Sequence, residues 1–143
     1  MESMSEPIDA NHEASIRQGF ASHGLMQTLH ATLESVEAGR AVIRLPFSEH
    51  ITQHHGYVHA GAITAIVDTA CGCAAMTLST ASLGLLTVEY KVNFLAPARG
   101  KEFVATGQVV KAGKTLTICQ GTVEDDSGVP VALMQATMMV LKG

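Results

Sequence analysis

Tryptophan is absent from this chain of 143 residues, aromatic residues make up only 4% of it, and charged residues only 15%. Proteins that bind nucleic acids usually show a basic surface or stacking aromatic residues. The net charge of −4 disfavours the first, and the low aromatic content disfavours the second. The three cysteines have no paired spacing, which disfavours a disulfide framework and makes a reducing cytoplasm the expected location. The longest apolar run, residues 60–78, carries Asp68 near its middle, so we expect no membrane span.

A hydrophobic content of 47% is typical of a compact domain with a substantial core. The sequence shows no internal repeat and no low-complexity linker, so we expect one domain. Its first residues are polar and lack the apolar segment of a secretory signal. The predicted organisation is a flexible tail over residues 1–13 and a single domain over residues 14–143.

The pattern of apolar residues predicts an α+β fold with an antiparallel sheet. Small and apolar residues over positions 60–80 indicate one long helix, which is apolar on nearly every side and should be surrounded by the rest of the fold. Alternating apolar and polar residues indicate strands before and after it. The expected elements are a short helix over residues 14–23, strands over 26–36 and 40–46, the long helix, and four hairpin-connected strands over 86–94, 103–111, 115–123 and 129–141.

Residues 53–69 carry the strongest indication of chemistry. At the start of the long helix, Ala60 and Gly61 have small side chains, so a ligand oxygen can approach the free backbone N–H groups. Asp68 lies inside the same helix among apolar residues, where a carboxylate is costly unless it is paired or used. Acyl transfer needs a hydrogen-bond donor for a carbonyl oxygen and a group that acts as base or nucleophile, and these residues supply both.

The spacing of these groups predicts a shared site. Asp68 follows Ala60 by about eight residues, which corresponds to roughly 12 Å along a helix. A catalytic base acts within about 3 Å of its target or through one water molecule, so one chain cannot bring both groups to one carbonyl. Two long helices packed antiparallel about a two-fold axis would place the start of one beside Asp68 of the other, twice per dimer.

The sequence resembles the hotdog-fold acyl-CoA thioesterases of the PaaI-like group. The resemblance covers roughly residues 24–141 and rests on three segments in the expected order, HGYVHAGAITAIVDTACG, TVEYKVNFLAPARG and VVKAGKTL. It implies a long helix wrapped by a curved sheet, homodimers that join their sheets edge to edge, and often dimers of dimers, hence a homotetramer. It also implies hydrolysis of acyl-CoA to free acid and CoA at a site shared between two subunits, with no cofactor.

Individual residues receive roles on this basis. By resemblance, Thr87 matches a position that often carries Ser or Thr and helps to position the attacking water. Gln53, in the loop before the helix, would add a side-chain N–H for the carbonyl oxygen. The family usually has His-Gly-Gly where this chain has His59-Ala60-Gly61, and often Asn where it has Gln53. We expect His59 to hold the loop at the helix entry by hydrogen bonds rather than to act as a base.

Substrate-binding residues are expected near both halves of the site. The acyl group should meet an apolar wall of aliphatic residues, namely Val58, Ile63, Leu83, Leu85 and Leu86. Leu86 begins an alternating strand, so we expect its side chain on the same face as Val88 and opposite to Thr87. The phosphates of coenzyme A need local cations in an acidic protein, and three that lie at strand ends and turns are favoured: Arg99, Lys111 and Lys114.

Metal binding and redox chemistry are the less favoured interpretations of the remaining residues. Four histidines, at positions 50, 54, 55 and 59, suggest a metal, but the glutamate of an HExxH motif is missing. We therefore expect no metal. Cys71 and Cys73 point to different sides of a helix and are expected to be small core residues, not redox groups.

Three other functions compete with hydrolysis. A non-catalytic module that binds or senses acyl-CoA would use the same fold, although the retained Asp68 argues against it. A dehydratase acting on hydroxyacyl thioesters needs a His paired with a carboxylate at its own spacing, and the sequence shows no such pair. The last possibility is a structural oligomer without a ligand.

Overall fold

A computed structural model describes residues 7–80 and 84–141 of the chain. The described part contains three α-helices and six strands. The helices are α1 (Ala10–Ala21), α2 (Gly24–Leu29) and α3 (Ala60–Met76), and the strands are β1 (Thr32–Glu37), β2 (Arg40–Pro46), β3 (Leu85–Phe94), β4 (Glu102–Ala112), β5 (Leu116–Asp125) and β6 (Pro130–Val140). A single 3-10 turn, Glu49–Ile51, lies in the loop before α3.

The six strands form one sheet in the order β1-β2-β4-β5-β6-β3, and every pairing is antiparallel. The sheet packs around α3, which contributes eight buried residues to the core. The predicted α+β fold, an antiparallel sheet wrapped around one long helix, is confirmed. Within the described residues no helix is long and apolar enough to cross a membrane.

Two paired glycines of the sheet allow α3 to lie unusually close to it. Gly107 of β4 pairs with Gly121 of β5 directly beneath the helix. A methyl group at Gly107 would lie 2.5 Å from the Cys71 nitrogen and closer still to the carbonyl of Ala70. Backbone is therefore packed against backbone, and any side chain at this position would force the helix away from the sheet.

The N-terminal segment differs from its predicted structure. Helix α1 begins at Ala10, because Asp9 caps it by accepting the backbone N–H of His12, so the last four residues of the predicted tail are helical. Residues 1–6 of that tail lie outside the described residues. The predicted strand over residues 26–36 instead begins within α2, which buries Met26 and Leu29 on one face. The helix is followed by His30, which caps it in a left-handed conformation.

The position of β3 also differs from the prediction. We expected the last four strands to be joined by hairpins, and this holds for β4, β5 and β6 only. The chain after β3 instead crosses the end of the sheet, where the Ala98 carbonyl accepts the backbone N–H of Val58 and the Lys101 carbonyl that of Phe47. Strand β3 therefore pairs with β6 and forms an edge of the sheet.

Helix α3 ends at Met76, four residues before its predicted end. The Thr77 hydroxyl donates to the Ala74 carbonyl at 2.6 Å and accepts the backbone N–H of Gly39 at 2.7 Å. This side chain caps the helix and ties it to the β1–β2 turn, so the two ends of α3 are fixed by side-chain caps.

Candidate active site

The first turn of α3 leaves one backbone donor free. His59 caps the helix, and its Nδ1 accepts the Gly61 N–H at 2.7 Å. The N–H groups of Ala62 and Ile63 donate to the His59 carbonyl. Only the Ala60 N–H lacks a partner in the described chain, so the geometry selects Ala60 rather than Gly61 as the donor for a ligand oxygen. The expected structural role of His59 takes the form of a helix cap.

Gln53 closes the loop that leads to α3. Its Oε1 accepts the backbone N–H of His55 at 2.6 Å and that of Tyr57 at 3.2 Å. Because two backbone donors converge on this atom, it is the oxygen, and the Nε2 group lies 3.3 Å from His55 Nδ1. One amide hydrogen of Gln53 stays available as a donor in the pocket that it shares with Ala60.

Asp68 is held by a threonine of the neighbouring strand. The Thr87 hydroxyl donates to Asp68 Oδ1 at 2.8 Å and also lies 3.1 Å from Met138 Sδ. The carboxylate is the stronger acceptor of the two, so the single hydroxyl proton is assigned to it. Thr87 thus orients Asp68, and the second carboxylate oxygen has no protein partner in the described part of the chain.

The two halves of the predicted site lie in separate pockets. The first, which we call the Gln53 pocket, has a volume of about 290 Å³ and includes Ala60, Val58 and Ile63 in its wall. The second, the Asp68 pocket, has a volume of about 270 Å³ and includes Thr87. Since roughly 12 Å of helix separates Ala60 from Asp68, no single chain assembles the complete site.

A β-bulge changes which leucine reaches the Asp68 pocket. The β3–β6 register shifts between Thr87 and Glu89, so Val88 is the extra residue. Leu85 and Thr87 line the Asp68 pocket, whereas Leu86 pairs with Met139 on the opposite face and is 54% exposed. Within this chain Leu86 therefore does not line the Asp68 pocket, its place in the acyl wall stays a prediction, and Leu83 lies outside the described residues.

The candidate phosphate-binding cations lie at two distant places. Arg99 donates from Nη2 to the Tyr57 hydroxyl at 3.0 Å and lies over its ring, 5.1 Å from the centroid, beside the Gln53 pocket. Lys111 and Lys114 are exposed on and after β4. Val109 of the same strand donates to the Gly39 carbonyl, and the Gly39 N–H donates to Thr77 at the C-terminus of α3. Within one chain Arg99 therefore lies beside the pocket that contains Ala60, and the two lysines lie near the other end of α3.

The histidines and cysteines are the remaining candidate groups. Within residues 7–80 and 84–141, no cluster of three or more histidine, cysteine or carboxylate side chains could hold a metal ion. All three cysteines are free and buried, as expected of core residues. Burial raises the pKa of Cys73 to about 12 and that of Cys119 to about 11, so both stay protonated and unreactive near neutral pH.

Sequence reasoning missed the contribution of α1. Ile16 and Phe20 lie one helical turn apart and form a wall of the Asp68 pocket, together with His23. Their spacing of four residues was a signal for a buried helix face, but nothing in the sequence indicated which surface that face would cover.

Comparison with known proteins decides the family. The family model of the thioesterase superfamily matches residues 55–132, which is more than half of the chain. The chain belongs to the thioesterase superfamily. A crystal structure of a thioesterase family protein from Silicibacter pomeroyi shares 39% identity, with a TM-score of 0.88 over 92% of this chain and 99% of that one. The matched segment includes Ala60, Asp68 and Thr87, whereas Gln53 lies just before it.

Two further proteins are similar to this chain over most of its length. The E. coli PaaI protein of the phenylacetic acid degradation operon superposes with a TM-score of 0.87 over 95% of this chain and 97% of its own, at 18% identity. This likeness confirms the predicted PaaI-like fold. The 1,4-dihydroxy-2-naphthoyl-CoA hydrolase of Listeria monocytogenes is 25% identical over 119 residues, which are 83% of this chain and 97% of the relative.

Proposed function

We propose that this thioesterase hydrolyses acyl-CoA to the free acid and CoA at a site shared between two subunits. The observation that carries the proposal is the division of the catalytic groups. The unpartnered Ala60 N–H lies in the Gln53 pocket, and the Thr87-bound carboxylate of Asp68 lies in another. A second copy, packed with its α3 antiparallel to the first, would bring one group of each kind to the same carbonyl.

The edge strand β3 supports this pairing. Its large apolar side chains are half exposed, including Val88 at 50%, Tyr90 at 49% and Phe94 at 47%. A ten-residue edge strand with unpaired backbone groups and apolar side chains invites pairing with another strand. A two-fold axis beside β3 would join two sheets edge to edge and would cover these residues.

The proposed reaction uses both half-sites at once. The Ala60 N–H and the Gln53 amide would donate to the thioester carbonyl oxygen and stabilise the negative charge that develops there. The free oxygen of Asp68 from the other subunit would take a proton from water while the water oxygen bonds to the carbonyl carbon. The carbon–sulfur bond then breaks, and the departing thiolate receives that proton. The Thr87 hydroxyl donates its proton to the Asp68 carboxylate and so fixes its position. The hydroxyl oxygen of Thr87 would then accept a hydrogen bond from the attacking water.

CoA as the carrier of the acyl group is supported by one relative and by one local feature. The Listeria protein is named as a hydrolase of 1,4-dihydroxy-2-naphthoyl-CoA. The alignment with this chain covers nearly the whole length of that protein. In this chain, Arg99 is held over Tyr57 at the edge of the Gln53 pocket, where its guanidinium could meet a phosphate.

The first test measures thiol release from acyl-CoA by the wild type and two variants. Asp68→Asn removes the base and should lower kcat by about 10²–10⁴-fold. Ala60→Pro removes the donor N–H without disturbing the helix, because Pro is favoured at the first helical position and His59 already has the extended conformation that precedes Pro. We expect a loss of about 10²–10³-fold, whereas Ala60→Gly, which retains the N–H, should stay close to wild type.

The second test mixes the two inactive variants. In a mixed dimer one site combines an intact Ala60 with an intact Asp68, and the other site lacks both groups. Random exchange gives mixed dimers in about half of the population, so roughly a quarter of wild-type activity should return. No recovery after subunit exchange has been verified would contradict the shared site. If all proteins bind acyl-CoA and none releases thiol, the chain is a binding module instead.

A further inference from the structure

The Asp68 pocket extends from the catalytic carboxylate into a mainly apolar space between α1 and α3. Ile16 and Phe20 of α1 form one wall, Met76 and Cys73 of α3 another, and Leu85 of β3 a third. Ile16 is only 2% exposed and fixes α1 against the core cluster beneath it. The carboxylate thus opens onto a preformed apolar space rather than onto bulk water alone, which is the usual character of a small-molecule site.

We infer that this pocket binds the acyl group and limits its length, and that Gly72 is the residue that sets the limit. The inference rests on the proposed function and adds the substrate class to it. A volume of about 270 Å³ corresponds to roughly nine heavy atoms at ~30 Å³ each. The fitting acyl groups are therefore compact and apolar, such as an arylacetyl group or an alkyl chain of about eight to ten carbons, and long fatty acyl chains do not fit.

Gly72 is assigned this role because of its position and the space around it. It lies one helical turn after Asp68, on the same face of α3, and it lines the pocket. Apart from the chain neighbours and the backbone of α3 itself, no atom lies within 4 Å of the place that a Cβ would take at this position. A Cβ added at position 72 would thus enter the acyl space without a clash, and a longer side chain would occupy more of that space. A glycine in the middle of a helix is otherwise unfavourable by comparison with alanine.

The inference is tested by calorimetric binding of S-alkyl-CoA thioethers, which have no carbonyl and cannot be hydrolysed. For the wild type, affinity should rise roughly fourfold per methylene up to about ten carbons and then stop rising. Gly72→Leu adds four carbons and should move this break to about six carbons. Gly72→Ala, which should fold at least as well as the wild type, should move it by about one carbon.

The matched control is Gly24→Leu. Gly24 begins α2 and is exposed, and a Cβ atom there would meet no other atom within 4 Å, but Gly24 does not line the Asp68 pocket. Its variant should keep the wild-type break. A wild-type affinity that rises without a break to sixteen carbons would overturn the inference. So would a Gly72→Leu variant whose affinity falls equally for thioethers of all chain lengths, if Gly72→Ala also leaves the break in place.

Failure of the proposed function would look different. A wild type that shows the length break in binding but releases no thiol from acyl-CoA of the preferred length would refute hydrolysis and keep the assignment of the pocket. A wild type that hydrolyses short and long acyl-CoA equally well, with no break in thioether binding, would refute the assignment of the pocket and keep hydrolysis.

Discussion

Substitution of Gly107 by alanine should damage both the stability and the activity of this protein, although Gly107 lies outside both half-site pockets. The added methyl carbon would lie 2.5 Å from the Cys71 nitrogen and closer still to the Ala70 carbonyl. Non-bonded carbon atoms are normally about 3.5–4.0 Å apart, so α3 would have to move away from the sheet by about 1 Å. Because the contacted atoms belong to helix backbone, no rotation of a side chain can relieve the overlap.

The expected cost follows from what is contacted. Overpacking of a core costs about 1–3 kcal/mol, and contact with helix backbone places Gly107→Ala at or above the upper end of that range. At Gly121 the same methyl group would meet the Sγ of Cys71 at 2.9 Å and, closer still, a methyl group of Val67. These are side-chain atoms that can adjust, so Gly121→Ala should cost about 1–2 kcal/mol. Gly72→Ala meets nothing and should gain about 0.5–1 kcal/mol.

Urea unfolding at one fixed protein concentration measures this order, because the apparent stability of the proposed dimer would depend on concentration. A displacement of α3 by about 1 Å would also move Ala60 and Asp68, and kcat/KM of folded Gly107→Ala should fall by about 10²-fold. A Gly107→Ala protein as stable as Gly121→Ala, or one with full activity, would refute the argument that the backbone contact between helix and sheet positions the site.

Three other changes test separate parts of the site and core. Thr87→Val removes the donor to Asp68 at constant shape and should lower kcat by about ten- to a hundredfold, whereas Thr87→Ser should retain most activity in the thiol-release assay. Gln53→Glu keeps the oxygen that closes the loop but replaces the amide donor, so kcat should fall more than tenfold with an unchanged Tm; a lower Tm would assign Gln53 to the loop alone. Burial raises the pKa of Cys73 and Cys119 from 9.0 to about 12 and 11, so the contribution of these thiols to stability should be constant below pH 9. It should fall by about 1.4 kcal/mol per pH unit and thiol between pH 9 and 11, because only the unfolded thiols ionise there. Urea midpoints at pH 8 and 10 measure this fall, and a Cys73→Ala protein with the same pH dependence as the wild type would contradict it.

The fold could be predicted from the sequence wherever one local pattern dominates. The small, apolar residues of α3 and the alternation in β4, β5 and β6 define those elements without knowledge of their partners. The prediction was wrong where tertiary contacts decide the outcome. Met26 and Leu29 are compatible with a strand, but both become buried on one face of α2. The edge position of β3 depends on a crossover after it, which no local signal specifies.

The candidate site was predicted to a similar extent. Asp68 and the helix start could be singled out because a carboxylate within an apolar helix and a turn of small residues are unusual in combination. The choice between Ala60 and Gly61 depends on the orientation of the His59 ring, which is a feature of the folded loop. The exclusion of Leu86 from the pocket depends on a bulge at Val88, and one extra residue in a strand reverses the face of every side chain before it.

The abundance of small residues in α3 has two separate consequences on its two faces. On the face toward the sheet, Ala70 and Cys71 are fully buried and allow the helix backbone to rest on Gly107. On the other face, Gly61 and Gly72 are not covered by the chain's own sheet, and a Cβ at position 72 would meet nothing. A helix with large residues on this second face could still fold against the sheet, but it would fill the space beside Asp68. The first set of small residues therefore determines where helix α3 lies against the sheet, and the second determines how much room the proposed substrate and second subunit would find beside it.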